Sequence, residues 1–266
     1  MMSFMKQSRV PRSPSGEMPF FDHLEELRWR LVWSLLALVI GTGIGFWLAM
    51  RFDLLAWLKR PLDPYMERTE LLALSVTDPF FITFKVALAL GFIMAMPVIV
   101  YQVWSFLSPA LTKREKRAIV PALYLGAVLF SMGVAMAYVY VLPMTLKFLA
   151  GFQTETLKYA LTAGFYFGFT LKLLIAFGVI FELPVVVLIL ATLGLVTSRF
   201  LREKRRFAIA GMAVTAALIT PGDAITATVF MMGPLILLYE LSILLARLVE
   251  RSRARAAAET LAEATQ

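Results

Sequence analysis

The 266-residue chain contains no cysteine and a single histidine, His23. Without cysteine there can be no disulfide, thiolate zinc site, iron–sulfur cluster or cysteine nucleophile. One histidine cannot build an HExxH site or a His-rich metal cage. Charge is also scarce: 17% of residues are charged against 60% hydrophobic, and mean hydropathy is +0.77. A soluble domain is nearer a quarter charged and half apolar. No phosphate loop, dinucleotide fingerprint or nucleophile elbow occurs. The expectation is therefore no catalytic residue, no metal and no cofactor. What is present instead is uncharged runs of membrane-spanning length and a net charge of +8. In a soluble protein such a surplus would raise nucleic acid as a partner. In a membrane protein it records which connections face the cytoplasm, and no nucleic acid is expected.

Six charge-poor runs stand out: Leu31–Met50, Val86–Thr112, Ala118–Leu146, about Phe165–Ser198, Phe207–Gly222 and Ala224–Tyr239. Their lengths suit helices, because barrel strands would be about half as long and alternate in polarity. The predicted fold is an all-α integral membrane protein with six transmembrane helices. The two final spans are short, since sixteen residues rise only about 24 Å against about 30 Å of hydrocarbon. Pro97, Pro121, Pro143, Pro184 and Pro234 lie inside spans and predict a kinked, curved bundle. Residues 1–19 read as a flexible cytoplasmic tail, 20–247 as the membrane domain, and 248–266 as a second cytoplasmic tail, Ala-rich and charged, frayed or disordered. Some thirty mostly polar residues precede a first run of full span length, which reads as a membrane anchor rather than a cleavable signal peptide.

Of the 26 Lys and Arg residues, eighteen fall in the N-terminal segment, in Lys113–Arg117, in Arg199–Arg206 and from Arg247 onward; eight fall in the alternate connections. The bias places both termini in the cytoplasm, as six spans allow. The one long outward connection, Arg51–Phe84, has four basic and five acidic residues and so is close to neutral; it is expected to fold over the outer face as a lid. Asp78-Pro79 reads as the start of the next helix, with Asp as cap.

Three places could carry function. In the first, Phe21–Leu31, residues Leu24, Leu27 and Leu31 share a face, so an interfacial helix should feed span one. Asp22 with Glu25 fits a capping arrangement and Glu26 with Arg30 an i,i+4 pair; a local structural role would explain all of these. His23 lacks a nearby ligand set and reads as an interfacial hydrogen-bonding residue. In the second, Thr112-x-x-Glu115 matches a capping box. Yet Glu115 stands alone among four cations, beside aromatics at the membrane border, where an incoming guanidinium could be held. Pattern alone leaves both readings open. The third is Glu182, mid-span, where an ionisable group costs about 2.5–3.5 kcal/mol on insertion scales. It reads as a polar contact for another helix or a proton-linked site, or else as a protonated acid satisfied by Ser, Thr or Tyr of adjacent spans. Gly41-x-x-x-Gly45 and Gly164-x-x-x-Gly168 permit close helix approach, but that spacing is common by chance.

Several stretches resemble the TatC family, the multispanning core of the twin-arginine protein translocase, from about Phe20 to Arg247. They are His23-Leu24-x-Glu26-Leu27-Arg28-x-Arg30-Leu31, Pro79-Phe80-Phe81, Pro97–Trp104-x-Phe106, Ala176–Val179-x-Phe181-Glu182-x-Pro184 and Thr220-Pro221-x-Asp223. The resemblance implies a receptor for twin-arginine signal peptides of folded cargo in the cytoplasmic (inner) membrane. It also implies an oligomeric receptor complex with single-span TatA/TatB-type subunits, contact with membrane lipids, and transport driven by the proton-motive force. By the same resemblance Glu26 and Glu115 contact the arginine pair, with Arg28, Phe106 and Arg117 alongside. Glu182, Thr220 and Asp223 face the cavity and partner helices.

Two other classes compete. A proton-coupled small-solute transporter is the alternative reading, but such proteins usually show internal repeats and several midplane coupling residues. Here no repeat is visible and Glu182 is nearly alone. An intramembrane hydrolase needs a nucleophile–base pair or metal ligands within the spans; the only histidine precedes span one, and one mid-span acid makes no dyad.

Overall fold

Inside hydrocarbon every backbone N–H and C=O must find its partner within the segment, which drives apolar runs to helix. The computed structural model describes residues 20–65, 71–107, 119–151, 161–219 and 226–264, and among them every regular element is helical. In chain order these are α1 (Phe20–Arg51), α2 (Leu54–Lys59) running into a 3-10 turn (Arg60–Tyr65), and α3 (Asp78–Leu107). Next come α4 (Ile119–Met136), a π-helical turn (Ala137–Val141) and α5 (Leu142–Gly151). The chain continues with α6 (Ala163–Phe181), α7 (Leu183–Thr192), α8 (Ser198–Glu203), α9 (Arg205–Ile219) and α10 (Thr226–Ala264).

Among the described residues five helical stretches are long and apolar enough to cross a membrane: His23–Arg51, Asp78–Leu107, Pro121–Gly151, Ala163–Thr192 and Met231–Arg255. The other expected span is α9, whose 15 residues fall short. The final helix departs from expectation in the opposite direction. It is 39 residues long, and no break marks residue 247, because the Ala-rich, charged sequence after Arg251 is itself helix-favouring. The interfacial helix expected to feed span one is continuous with it. Phe20 to Arg51 is one 32-residue helix, so Asp22 stands within the first turn rather than at the cap position.

Two prolines reshape their spans. Pro184 lacks an N–H and its ring collides with the carbonyl of Ile180, so α6 ends at Phe181 and α7 restarts at Leu183. Glu182 is the hinge residue between them. Pro143 in the same way denies a partner to the Val139 carbonyl, and the wider π turn over Ala137–Val141 absorbs the irregularity. By contrast α3 and α10 continue through Pro97 and Pro234.

Helix contacts are set by small residues. α1 and α3 run antiparallel at backbone contact: a Cβ on Gly41 would stand 2.7 Å from the Gly91 carbonyl oxygen, and one on Gly45 2.6 Å from that of Ala87. The Gly41/Gly45 pair thus makes a real packing seam. Gly164 and Gly168 do not, as a Cβ on either meets nothing within 4 Å. A second seam joins α4 to α6, where Gly133 faces the Phe177 carbonyl and Gly178 faces the Phe130 ring.

At one end of the bundle, residues 54–65 fold over the helices as the expected lid. Leu58 and Leu62 are buried beneath it. The Tyr138 hydroxyl donates to the Trp57 carbonyl at 2.6 Å, with the two rings stacked at 4.0 Å. Tyr166 donates to the Leu58 carbonyl at 2.8 Å. Leu72 bridges the start of α6, its N–H donating to Leu161 and its carbonyl accepting from Ala163. Asp78 does begin α3, but its carboxylate accepts from the N–H groups of Leu74 and Ser75 at 2.8 and 3.0 Å. It therefore locks the turn before the helix instead of capping it.

At the opposite end, residues 192–205 are fastened to α10. Glu250 accepts from both the N–H and the hydroxyl of Ser198, each at 2.6 Å. Arg205 pairs with Glu240 at 2.6 Å, Tyr239 donates to the Leu201 carbonyl at 2.7 Å, and Arg253 donates to the Thr192 carbonyl. Beneath this clamp Ala191, Leu201, Ile243 and Ala246 form a small apolar core of their own.

Candidate functional site

The glycine seam between α1 and α3 brings the beginning of the first helix against the end of the third. His23 stacks on Phe106 with ring centroids 4.3 Å apart and 20° between planes. The histidine thus serves as an aromatic contact rather than the interfacial hydrogen-bonding group expected of it. Three residues along, Glu26 lines a cavity of about 430 Å³ together with Trp29, Arg30 and Trp33 of α1 and Tyr101, Gln102 and Ser105 of α3. The Arg30 guanidinium donates to Glu26 Oε1, from Nε at 3.1 Å and also from Nη2. That is the i,i+4 pair read from the sequence. Glu26 Oε2 is buried and, among the described residues, has no hydrogen-bond partner. One carboxylate therefore has one oxygen held by its own helix and the other uncommitted. Arg28 is exposed and does not line this cavity. Leu24, Leu27 and Leu31, which share a face in the sequence, are all exposed.

The second carboxyl is Glu182. Its side chain is 4% exposed, and among the described residues neither Oε1 nor Oε2 has a hydrogen-bond partner. Serine, threonine or tyrosine from a neighbouring span, one of the readings offered by the sequence, does not satisfy it. The carboxyl occupies a notch on α4 left by Gly126, where a Cβ would come within 3.0 Å of Oε2 and 3.2 Å of Oε1. Pro184 sets up this placement by breaking the helix, which leaves Glu182 as the C-cap of α6 and aims its side chain across at α4.

Glu115, Arg117, Thr220 and Asp223 lie outside the described residues, as do the Thr112–Glu115 capping box and the Pro221-Gly222 turn. Of the site residues read from the sequence, Glu26 and Phe106 are brought to one end by α1 and α3, while Glu182 belongs to a separate buried site on α6. Tyr101, Gln102 and Ser105 were not singled out. Their signal was their i,i+4 spacing within a stretch already noted, which puts all three on the face that meets α1. Gly126 carried no signal, because a glycine in an apolar run declares nothing until the facing carboxylate is known. Among the described residues no group of three or more His, Cys, Asp or Glu could hold a metal ion.

A bundle of membrane-length helices carrying one half-buried and one fully buried carboxyl defines a polytopic α-helical membrane protein. Residues 22–234 match the family described as Sec-independent protein translocase protein (TatC), and the chain belongs to it. The chain is 43% identical over 239 residues to the Sec-independent protein translocase protein TatC of Aquifex aeolicus, covering 89% of this chain and 98% of that one. It is 39% identical over 237 residues to the TatC of Desulforapulum autotrophicum, covering 88% and 86%. Among solved structures it is similar to a crystal structure titled as the twin-arginine translocase receptor TatC, with a TM-score of 0.71 and 42% identity over 86% of this chain and 99% of that one. A second, of TatC in DDM, gives a TM-score of 0.72 at 43% identity over 84% and 99%. The chain is a multispanning inner-membrane protein and a component of the twin-arginine translocase.

Proposed function

We propose that this chain is the receptor of the translocase, binding the Arg-Arg motif of signal peptides at the end of the bundle where α1 begins and α3 ends. Both termini are cytoplasmic in this reading, which the eighteen-to-eight Lys/Arg bias supports. The observation that carries the proposal is Glu26 Oε2, a buried acceptor with no partner beside an open cavity. Glu115, from the connection after α3, supplies the second acid, with Arg28, Phe106 and Arg117 around the pair.

Arginine presents a planar fork of donors that matches a carboxylate, and lysine offers only a point charge, so paired acids select Arg-Arg over Lys-Lys. Two such contacts at about 1.5–3 kcal/mol each correspond to millimolar to tens-of-micromolar binding. The acids therefore set selectivity, and the apolar segment of the signal peptide supplies the remaining affinity against the lipid-facing side of α1 and α3. Phe106, stacked on His23, stands at the junction between these two parts.

Glu182 serves the second half of the function, as a polar contact for the helix of a TatA/TatB-type single-span subunit during transport driven by the proton-motive force, a role to which Thr220 and Asp223 are also assigned. Its two unpartnered oxygens support this role, since a buried acceptor left unmade costs about 1–3 kcal/mol that an incoming donor would recover.

The test is site-specific photo-crosslinking of an Arg-Arg signal peptide to membranes carrying Glu26→Ala or Glu115→Ala. Crosslinking should fall severalfold while insertion and assembly persist, and export of a folded reporter should fail. Wild-type crosslinking in both variants would sink the two-acid site. In parallel, unchanged crosslinking of a partner helix to Glu182→Ala would return that residue to a purely structural role.

A further inference from the structure

A groove of about 1010 Å³ runs between α1, α3 and α6, well away from Glu26 and lined by neither Glu26 nor Glu182. Its walls are apolar (Leu38, Leu88 and Phe92 among them) except for two residues, Lys85 and Lys172. Both lysines are exposed, and both lie within membrane-length helices. α3 and α6 begin at the same end of the bundle, tied there by the bridge between Leu72 and Leu161–Ala163. Lys85 is the eighth residue of α3 and Lys172 the tenth of α6, so they lie about 10 and 14 Å along their helices. The two cations thus enter one groove at nearly one level. No acidic side chain lines the groove, and among the described residues neither lysine has an ion-pair partner.

Gly164, Gly168 and Lys172 repeat every four residues, so they share one face of α6. Added Cβ atoms at both glycines would meet open space. The spacing that does not serve helix packing here keeps a channel clear beside the lysine. A lysine in an apolar span is costly unless its head reaches water or an anion. Two of them converging on an otherwise apolar trough match a ligand with an anionic head and long hydrocarbon chains.

We propose that this groove is a binding site for an anionic glycerophospholipid, its phosphate seated between Lys85 and Lys172 and its acyl chains laid along Leu38, Leu88, Phe92 and the Gly164–Gly168 face. Charge complementarity commits the occupant: basic pockets between transmembrane helices take anionic lipid heads, and a zwitterionic lipid brings a cation of its own to the lysines. The groove includes neither of the acids proposed for arginine recognition, so loss of lipid binding and loss of arginine recognition are distinguishable.

The experiment is native mass spectrometry of the full chain released from mild detergent and titrated with phosphatidylglycerol or phosphatidylcholine of identical acyl chains. Phosphatidylglycerol should bind more tightly. Each of Lys85→Gln and Lys172→Gln should weaken it about fivefold and the double variant about thirtyfold, with phosphatidylcholine unmoved. Lys85→Arg with Lys172→Arg should restore the preference. Gly168→Leu, which keeps both charges and fills the channel, should weaken both lipids together. Size-exclusion profiles matching wild type show that each variant is folded. Equal binding of the two lipids by wild type, or an undiminished phosphatidylglycerol preference in the double glutamine variant, would overturn the proposal. So would a dimer of this chain that excludes lipid and is broken by Gly168→Leu, because the groove would then be filled by a second copy.

Discussion

Glu182 on the broken fourth span faces Gly126 across a gap that a single methyl group would close: a Cβ at 126 would stand 3.0 Å from one carboxylate oxygen and 3.2 Å from the other. A flexible carboxyl can swing aside, and alanine gains about 1 kcal/mol of helix propensity over glycine. Gly126→Ala should therefore leave thermal stability nearly unchanged while displacing the carboxyl, with altered partner-helix crosslinking at residue 182. Gly133→Ala, one seam position away, would put its Cβ 2.7 Å from the backbone oxygen of Phe177, which cannot swing. It should destabilise by about 1–3 kcal/mol, read as a lower melting temperature in detergent. Equal effects of the two substitutions would contradict the notch.

The α1–α3 seam makes a longer-range prediction. A Cβ on Gly91 would come within 2.5 Å of the Thr42 nitrogen, so Gly91→Ala must push the helices apart. The stack of His23 on Phe106 depends on that seam. A disulfide between H23C and F106C should form readily in the otherwise native chain and poorly when Gly91→Ala is added. Signal-peptide crosslinking to the α1–α3 end should decline in parallel. Efficient disulfide formation in the combined variant would show that the seam does not set the site.

The lid hangs on two tyrosine hydroxyls. Tyr138→Phe and Tyr166→Phe each remove one hydrogen bond to a lid carbonyl and leave the ring in place. Each should cost about 1 kcal/mol, and in the pair trypsin should cleave after Lys59 severalfold faster than in the parent. A digestion rate equal to wild type in the double variant would mean that the apolar contacts of Leu58 and Leu62 hold the lid unaided.

Glu250 caps α8 from a distant helix. Its replacement by alanine leaves the Ser198 N–H and hydroxyl without their acceptor, at a cost of about 1–3 kcal/mol. Amide exchange over residues 193–204 should quicken, while exchange in α3 and α6 stays as it was. Glu250→Gln, which retains an acceptor oxygen, should be the milder change. If exchange did not respond to Glu250→Ala, the remaining fastenings at Tyr239, Glu240 and Arg253 would be sufficient.

Much of this was readable in the sequence, because charge-free length decides where a chain can cross a membrane. Four of the six runs were placed close to their helices, and Glu26–Arg30 was legible because i,i+4 geometry is local. The misses have more than one cause. Gly41-x-x-x-Gly45 looked like chance spacing, and only Gly91 on another helix turns it into a seam. Asp78 looked like a cap, yet the donors nearest to it lie in the turn before. Leu24, Leu27 and Leu31 were read as an interfacial helix leading into span one, and from Phe20 to Arg51 the two are one continuous helix. The end of α10 was read as frayed because its charges suggested solvent, while Glu250 and Arg253 are engaged in fastening a loop. The glycine seam and the end of α10 depend on partners far along the chain, which periodicity does not see, while Asp78 depends on which nearby donors the turn presents.

At 1.5 Å per residue the 39 residues of α10 extend about 58 Å, nearly twice the hydrocarbon thickness. Its four attachments to residues 192–205, from Tyr239 to Arg253, are spread along about 21 Å of that rod. A segment pinned at so many heights cannot tilt or slide independently of the rod. The connection between the fourth and fifth runs is therefore a rider on the last helix, and anything that grips one has taken hold of the other.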